Sequence, residues 1–379
     1  MAQFPHIRVR GSAYERGHQL GEQAAARIAR SVAIYKDVFS HYAGWKWDRV
    51  VEHANLYRPA IGDYRPRYLE EIQGIADGAG LDSGDVLALN VRTEIMFAAI
   101  ARRAAGECTA FVALPQATAD GHTLIGQNWD WVPPASDTVI VLEAEQDEGP
   151  DFVTVVEAGL LAKAGFNSAG IGLVTNALVT DQDCGKPAVP YHIVLRAILD
   201  AETMTDALDA ITRFERSSSA NYLIAHRDGE AINVEAAPGD FTRTYLEFPS
   251  RGTFAHTNHY VSTAFDLRDV MRWDGPDSPF RWHRMAQFLE RDVGHLTPES
   301  IQGFLGDHFN YPSGICQHPD PRLDPADCFA TVASVVMDLA TRTMWIADGN
   351  PCHTPFRAVE YHAFLDKLPA FLDGSPKGG

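Results

Sequence analysis

Apolar residues recur at helical spacing through most of the first hundred positions and at strand spacing after them. Residues 12–43, rich in Ala, Arg and Glu, predict one long helix whose opening reads Tyr14-Glu15-Arg16-Gly17-His18-Gln19-Leu20-Gly21. A second helical stretch covers about 46–60. A third, 66–78, places Tyr68, Ile72 and Ile75 on one face. Asp82-Ser83-Gly84-Asp85 predicts the cap of a further helix through Val86, Leu87, Leu89 and Val91.

Past position 108 the period shortens. Thr109–Leu114 and Thr123–Trp131 read as two strands joined by a turn at Asp120-Gly121. Short strands follow at Thr138–Glu143, Phe152–Glu157, Leu161–Phe166 and Gly170–Asn176, the last two joined at Asn167-Ser168-Ala169-Gly170. Helices return at 190–200 and 203–214. Strands follow at 220–226, 230–236, 241–247 and 253–257, helices at 279–291 and 297–306, and strands at 328–339 and 342–348. Strand clusters alternating with helix pairs predict an α+β chain with two sheets between helical layers. The tail Gly374–Gly379 is low in complexity and is expected to be disordered.

Charge narrows the partners. With 32 basic and 50 acidic side chains the net charge is −18, so no basic footprint for nucleic acid exists and anionic membrane surfaces are disfavoured. No run of eighteen apolar residues suggests a membrane span, and Met1-Ala2-Gln3-Phe4-Pro5-His6 lacks signal-peptide character, so a cytoplasmic protein is expected. Five cysteines, at 108, 184, 316, 328 and 352, include no CxxC pair. Cys316-Gln317-His318, Cys352-His353 and His256-Thr257-Asn258-His259 lack the spacing of a structural zinc site, so no metal is expected.

Cys108 lies between the helical segment and the first clear strand. Inside a chain its amide nitrogen is no base. Were the bond after Glu107 cut, the cysteine would gain an α-amine of reference pKa about 8, and one residue would supply both nucleophile and base without a cofactor. A strained helix-to-strand junction suits such a cut. A lone cysteine equally reads as a small buried hydrophobe.

Around it the chain carries Gly11-Ser12-Ala13-Tyr14-Glu15-Arg16-Gly17, Glu70-Glu71-Ile72-Gln73-Gly74-Ile75-Ala76, Leu89-Asn90-Val91-Arg92-Thr93-Glu94, Cys108-Thr109-Ala110 and Gly126-Gln127-Asn128-Trp129-Asp130. Then come Glu157-Ala158-Gly159, Gly165-Phe166-Asn167-Ser168-Ala169-Gly170, His256-Thr257-Asn258-His259 and Asn310-Tyr311-Pro312. In this order the motifs resemble the isopenicillin N acyltransferase family, a cysteine peptidase-like group of N-terminal nucleophile (Ntn) hydrolases. The resemblance implies a four-layer αββα sandwich and a proenzyme that cuts itself at Glu107-Cys108. A mostly helical α chain (1–107) would stay intertwined with a catalytic β chain (108–379) as one structural domain.

Roles follow from that resemblance. Cys108 matches the nucleophile. Asn258 matches the asparagine whose amide stabilises the oxyanion, and otherwise reads as a turn residue. Asp130 matches an aspartate that orients the α-ammonium or polarises the thiol, and otherwise reads as a strand-end acid. Arg92 and Glu94 suggest an ion pair positioning the propeptide, or a plain helix-end pair. Trp129 and Trp131 suit the pocket wall or the core. Two departures stand out: the fungal family member has Gly where this chain has Glu107, and Gln317 stands where the penicillin-forming enzyme is expected to carry an arginine, with Arg322 as a nearby substitute.

The expected activity is hydrolysis or transfer of the acyl group of a small N-acyl amide or acyl thioester through a thioester acyl-enzyme. The net charge tilts this toward hydrolysis rather than a coenzyme A donor. An acyl-coenzyme A-dependent transferase of the penicillin-forming type is the alternative. A papain-like hydrolase pairing Cys108 with His256 or His259, and an uncut, inactive binding or scaffold protein, are the rivals.

Overall fold

Ser12 sets where the first long helix begins. Its hydroxyl accepts the Glu15 N–H, and the Glu15 carboxylate accepts the Ser12 N–H at 2.9 Å, a reciprocal cap contributing about 1 kcal/mol. Helix α1 runs Ala13–Ala43 and ends at Gly44, whose left-handed backbone (φ 63°) closes the last turn. Strand β1 (His6–Gly11) precedes it. Helices α2 (Trp47–Asn55), α3 (Arg58–Tyr64), α4 (Pro66–Ala79), α5 (Ser83–Asn90) and α6 (Arg92–Ala98) follow. The stretch expected as one helix over 46–60 is therefore two, and Pro59 sits in the first turn of the second, where its missing N–H costs nothing. The computed structural model describes residues 3–99 and 107–366. The segment just ahead of the expected cut and the Gly374–Gly379 tail lie outside the described residues.

Helices α1 and α4 cross backbone to backbone. A Cβ on Gly17 would overlap the Glu71 carbonyl oxygen, and one on Gly74 would overlap that of Tyr14. Arg16 and Glu71 form a buried ion pair at 2.9 Å beside the crossing. The two N-terminal motifs that carry much of the resemblance thus serve helix packing.

The strands are β2 (Glu107–Ala113), β3 (Leu124–Trp131), β4 (Val139–Gln146), β5 (Phe152–Glu157), β6 (Ala164–Asn167), β7 (Ile171–Ala177), β8 (Ala220–His226), β9 (Glu230–Ala236), β10 (Thr244–Glu247), β11 (Thr253–His256), β12 (Ala330–Asp338), β13 (Thr343–Ala347) and β14 (Arg357–Glu360). One sheet has eight strands in the order β1-β4-β5-β6-β7-β8-β9-β10, and the other six in the order β11-β2-β3-β12-β13-β14. The sheets meet face to face where β2 and β3 lie against β7. Helices α7 (Tyr191–Leu199) and α8 (Met204–Thr212) pack on the outside of the larger sheet. After a short α9 (Met271–Asp274), helices α10 (Ser278–Arg291) and α11 (Pro298–Leu305) pack on the outside of the smaller one. This is the expected four-layer αββα, α+β sandwich. Strands β1 and β14 have no counterpart in the pattern of the sequence; both are edge strands with exposed residues alternating along them. Among the described residues no helix is long and apolar enough to cross a membrane.

Candidate active site

Strand register builds the site. In the antiparallel pair β2–β3, Cys108 stands opposite Trp129 and Glu107 opposite Asp130. In the pair β11–β2, His256 stands opposite Ala110. Two residues further along the same register, just past the end of β11, Asn258 falls opposite Cys108. Its Oδ1 accepts the Cys108 main-chain N–H at 2.8 Å, and its Nδ2 donates to the Ala177 carbonyl at 3.0 Å. The nitrogen that a cut would turn into an α-amine is therefore held by the asparagine that the sequence singles out.

Arg281 of α10 completes this cradle, and no motif along the chain points to it. It donates to the Cys108 carbonyl at 2.9 Å, to Thr109 Oγ1 at 3.2 Å and to Asn258 Oδ1 at 3.1 Å, while Asp277 holds its Nε at 2.7 Å. Asn176 of β7 donates to the Cys108 carbonyl as well, at 3.1 Å. A sequence signal exists: Ser278, Arg281, Met285 and Leu289 form the buried stripe of α10, and an arginine in that stripe needs buried acceptors.

The thiol faces the space between the two sheets. It shares a cavity of about 20 Å³ with Arg92, Trp129, Lys163, Tyr191 and His192. Burial pushes the thiol up to about 11, while Lys163 and the Asp130 main-chain N–H draw it down. Burial likewise pulls Lys163 down to about 8, against the opposing pull of Cys108. Its ammonium lies over the Trp129 ring, 4.5 Å from the centroid. Lys163 is the one charged residue in the run Leu160–Phe166, a position that a purely apolar strand reading passes over.

Asp130 alternates to the other face of the sheet, toward α10. Thr331 Oγ1 donates to its Oδ1 at 2.6 Å, and its Oδ2 is buried without a partner among the described residues. That placement would suit holding the ammonium that a cut would create, rather than polarising a thiol on the opposite face. Burial raises its pKa to about 7, with Arg281 opposing. An unfolded aspartate titrates near 4, so the stability that the protonated carboxyl contributes is complete below about pH 4 and is lost as pH rises through about 7. In that window unfolding releases a proton. With Cys108→Ala as a common background, unfolding near pH 5.5 should release about one proton more than unfolding of the same chain with Asp130→Asn. Calorimetry in buffers of different ionisation enthalpy reads this directly; equal release would mean that Asp130 titrates normally.

The other residues singled out by the sequence have partners of their own. Arg92 and Glu94 do not pair with each other. Arg92 forms a buried ion pair with Glu157 at 2.5 Å, and Glu94 accepts from the Tyr191 N–H at 2.8 Å and from Ser218 Oγ at 2.7 Å. Trp129 and Trp131 both line the cavity and belong to the core, so both readings hold. His256 Nε2 pairs with Glu235 Oε1 at 2.8 Å, and His259 Nδ1 with Ser278 Oγ at 2.8 Å; burial drives His259 down to about 3. The histidine lining the Cys108 cavity is instead His192, kept neutral by burial and by Arg92 and Lys163. Gln317 lines a separate cavity of about 440 Å³, whereas Arg322 extends into solvent on Asp320 at 2.6 Å.

Several known proteins are similar to this chain. The profile of the family described as "Acyl-coenzyme A:6-aminopenicillanic acid acyl-transferase" matches residues 117–353, a span that takes in Asp130 and Asn258 and begins after Cys108. The chain is 28% identical over 351 residues to the acyl-coenzyme A:6-aminopenicillanic-acid-acyltransferase 40 kDa form of Emericella nidulans, covering 91% of this chain and 93% of that one. An uncharacterized protein of Archaeoglobus fulgidus is 25% identical across 77% of this chain and 56% of its own length. Among solved structures, a variant of the conjugated bile acid hydrolase of Clostridium perfringens aligns at a TM-score of 0.48 and 12% identity, over 69% of this chain and 95% of that one. Penicillin V acylase from Agrobacterium tumefaciens aligns at 0.40 and 11%, over 67% and 86%. Because the profile fits well over half of the sequence, this chain belongs to the acyl-coenzyme A:6-aminopenicillanic acid acyl-transferase family.

Proposed function

We propose that this chain is the precursor of a self-activating cysteine enzyme that hydrolyses or transfers the acyl group of a small N-acyl amide. The observation that carries the reading is the hold on one residue. Asn258 accepts from the Cys108 N–H, Arg281 and Asn176 donate to its carbonyl, and its thiol shares a cavity with Lys163. In the first event Lys163, whose pKa near 8 leaves part of it neutral, receives the thiol proton. The sulfur attacks the Glu107 carbonyl carbon, the C–N bond breaks, and the nitrogen takes up a proton. Water then cleaves the resulting thioester. Glu107 is left as a carboxylate, and Cys108 as a free thiol beside a free amine.

The fragments 1–107 and 108–379 would stay together. Strand β1 pairs with β4 across the cut, Tyr57 donates to the Gly185 carbonyl at 2.6 Å, Tyr64 donates to the Ala210 carbonyl at 2.8 Å, and Arg92 pairs with Glu157. In the continuous chain about 20 Å³ beside Cys108 holds roughly one water. An acyl group would therefore need more space than this cavity offers in the continuous chain. After the cut, the α-amine serves as base for attack on substrate, and Asp130 balances its charge from the far face of the sheet.

Intact mass and N-terminal sequencing of the purified protein test this. Two chains, the larger beginning at Cys108, are expected. A panel of acyl amides and acyl thioesters then separates hydrolysis from transfer. The uncut scaffold reading expects a single chain with an inert thiol. The papain-like reading has to run through His192, because His256 and His259 are engaged elsewhere. His192→Gln should cut itself and turn over within a few-fold of wild type; a folded, correctly cut but dead variant would replace the α-amine by the imidazole.

A further inference from the structure

Four side chains from two separate loops converge at one point. His308 and Cys316 lie between α11 and β12, His318 follows two residues later, and Cys352 lies between β13 and β14. The two imidazole Nε2 atoms stand 3.1 Å apart, and His318 Nε2 lies 3.6 Å from Cys316 Sγ and 3.4 Å from Cys352 Sγ. The two sulfurs are 3.4 Å apart, and all four atoms lie within 4.8 Å of one another.

These separations are four of the six edges of a small tetrahedron. Bonds of about 2.3 Å to sulfur and about 2.0 Å to nitrogen give edges of roughly 3.8 Å between sulfurs, 3.6 Å between sulfur and nitrogen and 3.3 Å between nitrogens. The four distances above fall within about 0.5 Å of those values, and the two from His308 to the sulfurs are no longer than 4.8 Å. A disulfide between Cys316 and Cys352 would account for the sulfurs but not for two imidazoles turned toward the same point. The flanking polar groups also fit. Asn350 Nδ2 reaches Cys316 Sγ at 3.5 Å and the Gln317 carbonyl at 2.6 Å, so one amide donor steadies a sulfur and the loop that carries it.

We propose that His308, Cys316, His318 and Cys352 bind one zinc ion in a closed, structural site. Two thiolates and two neutral imidazoles in a tetrahedron are the donor set that selects zinc among the common divalent ions. Four protein ligands leave no open position for substrate or water, so the ion acts as a clasp. The clasp is coupled to the candidate active site. Gln317, between two ligands, donates its N–H to Thr331 Oγ1 at 2.9 Å, and Thr331 donates to Asp130. The carbonyl of Ile315, next to Cys316, accepts from Asn128 Nδ2 at 2.8 Å. His318 and Gln317 also line the 440 Å³ cavity. The four residues position others and perform no chemistry themselves. The sequence expectation of no metal rests on spacing along the chain, and here the ligands come from two separate loops.

Full-length protein purified without chelator should carry about one zinc per chain by elemental analysis, whether or not it has cut itself. After chelation under reducing conditions, titration with Co²⁺ should give the visible bands of tetrahedral cobalt together with thiolate-to-cobalt charge transfer. Zinc should then displace the cobalt and raise the melting temperature. The double substitution Cys316→Ser with Cys352→Ser should lower bound zinc at least about tenfold, while Cys184→Ser, at an exposed cysteine, should leave it unchanged. If the double variant does not fold, the cobalt titration of the wild-type chain decides alone. Reduced wild-type protein that is free of zinc and gives no tetrahedral cobalt spectrum overturns the proposal. So does a Cys316–Cys352 disulfide in protein isolated without chelator, and so does full zinc retention in the folded double variant.

Discussion

Cys108→Ala is expected to remain one 379-residue chain and to turn over none of the acyl substrates. The substitution removes the only atom among the cavity-lining residues able to form a thioester, and it removes it for both events, the cut and the later turnover. Folding should survive. The cysteine side chain is buried among Trp129, Tyr191 and Ala177, and its loss costs about the burial of one sulfur, far less than the domain's stability. The main-chain bonds to Asn258, Arg281 and Asn176 do not involve the side chain and should persist. Lys163→Met is the companion variant. Without the amine the thiol loses the positive charge that draws its pKa down, and the cut should slow while any enzyme that has matured keeps its α-amine. Two fragments from the alanine variant on a denaturing gel would end the self-cleavage reading.

The parts of this architecture that follow local rules are legible in the sequence. The long helix α1 announces itself through the Ser12–Glu15 cap and Gly44, and the hairpin β2–β3 through Asp120-Gly121 between alternating apolar runs. The split at Leu56–Tyr57 escapes such a reading because both halves keep a helical period and only Pro59 marks the restart. Edge strands β1 and β14 escape it because their identity depends on pairing partners: β4, far away in sequence, for the first, and β13 for the second.

The site divides in the same way. Cys108, Asn258 and Asp130 come from motifs along the chain, and strand register brings the first two into contact. Arg281, Asn176 and Lys163 reach the same cysteine from a helix, a strand of the second sheet and the loop before β6, and nothing near them in sequence points to position 108. What the sequence does offer is anomaly: a cation on the buried stripe of α10 and a cation inside an apolar run. Arg92 and Glu94 show the converse error. Two residues apart on a helix they do not face each other, and each has a partner across the fold.

Asn258 carries the second large effect, and its two ends separate the roles assigned to it. In the uncut chain its Oδ1 accepts from the Cys108 nitrogen and from Arg281, while its Nδ2 is held by the carbonyl of Ala177, a residue that lines the Cys108 cavity. The acceptor end serves the cut, because it fixes the nitrogen that must leave as an amine. The donor end bonds a residue of the cavity wall, and to serve the oxyanion of an attacked substrate carbonyl it would exchange the Ala177 carbonyl for the substrate oxygen. Asn258→Asp keeps an acceptor beside Arg281 and loses the donor, so it should still yield a chain beginning at Cys108, while kcat falls about 10²–10³-fold, the usual loss for one oxyanion donor. Asn258→Ala loses both ends and should be slow in the cut as well as in turnover. Fragment appearance on a gel and kcat measured on fully cut enzyme give the two readouts independently. An unchanged kcat in fully cut Asn258→Asp would take the oxyanion role away from this residue and leave it only the hold on the nitrogen.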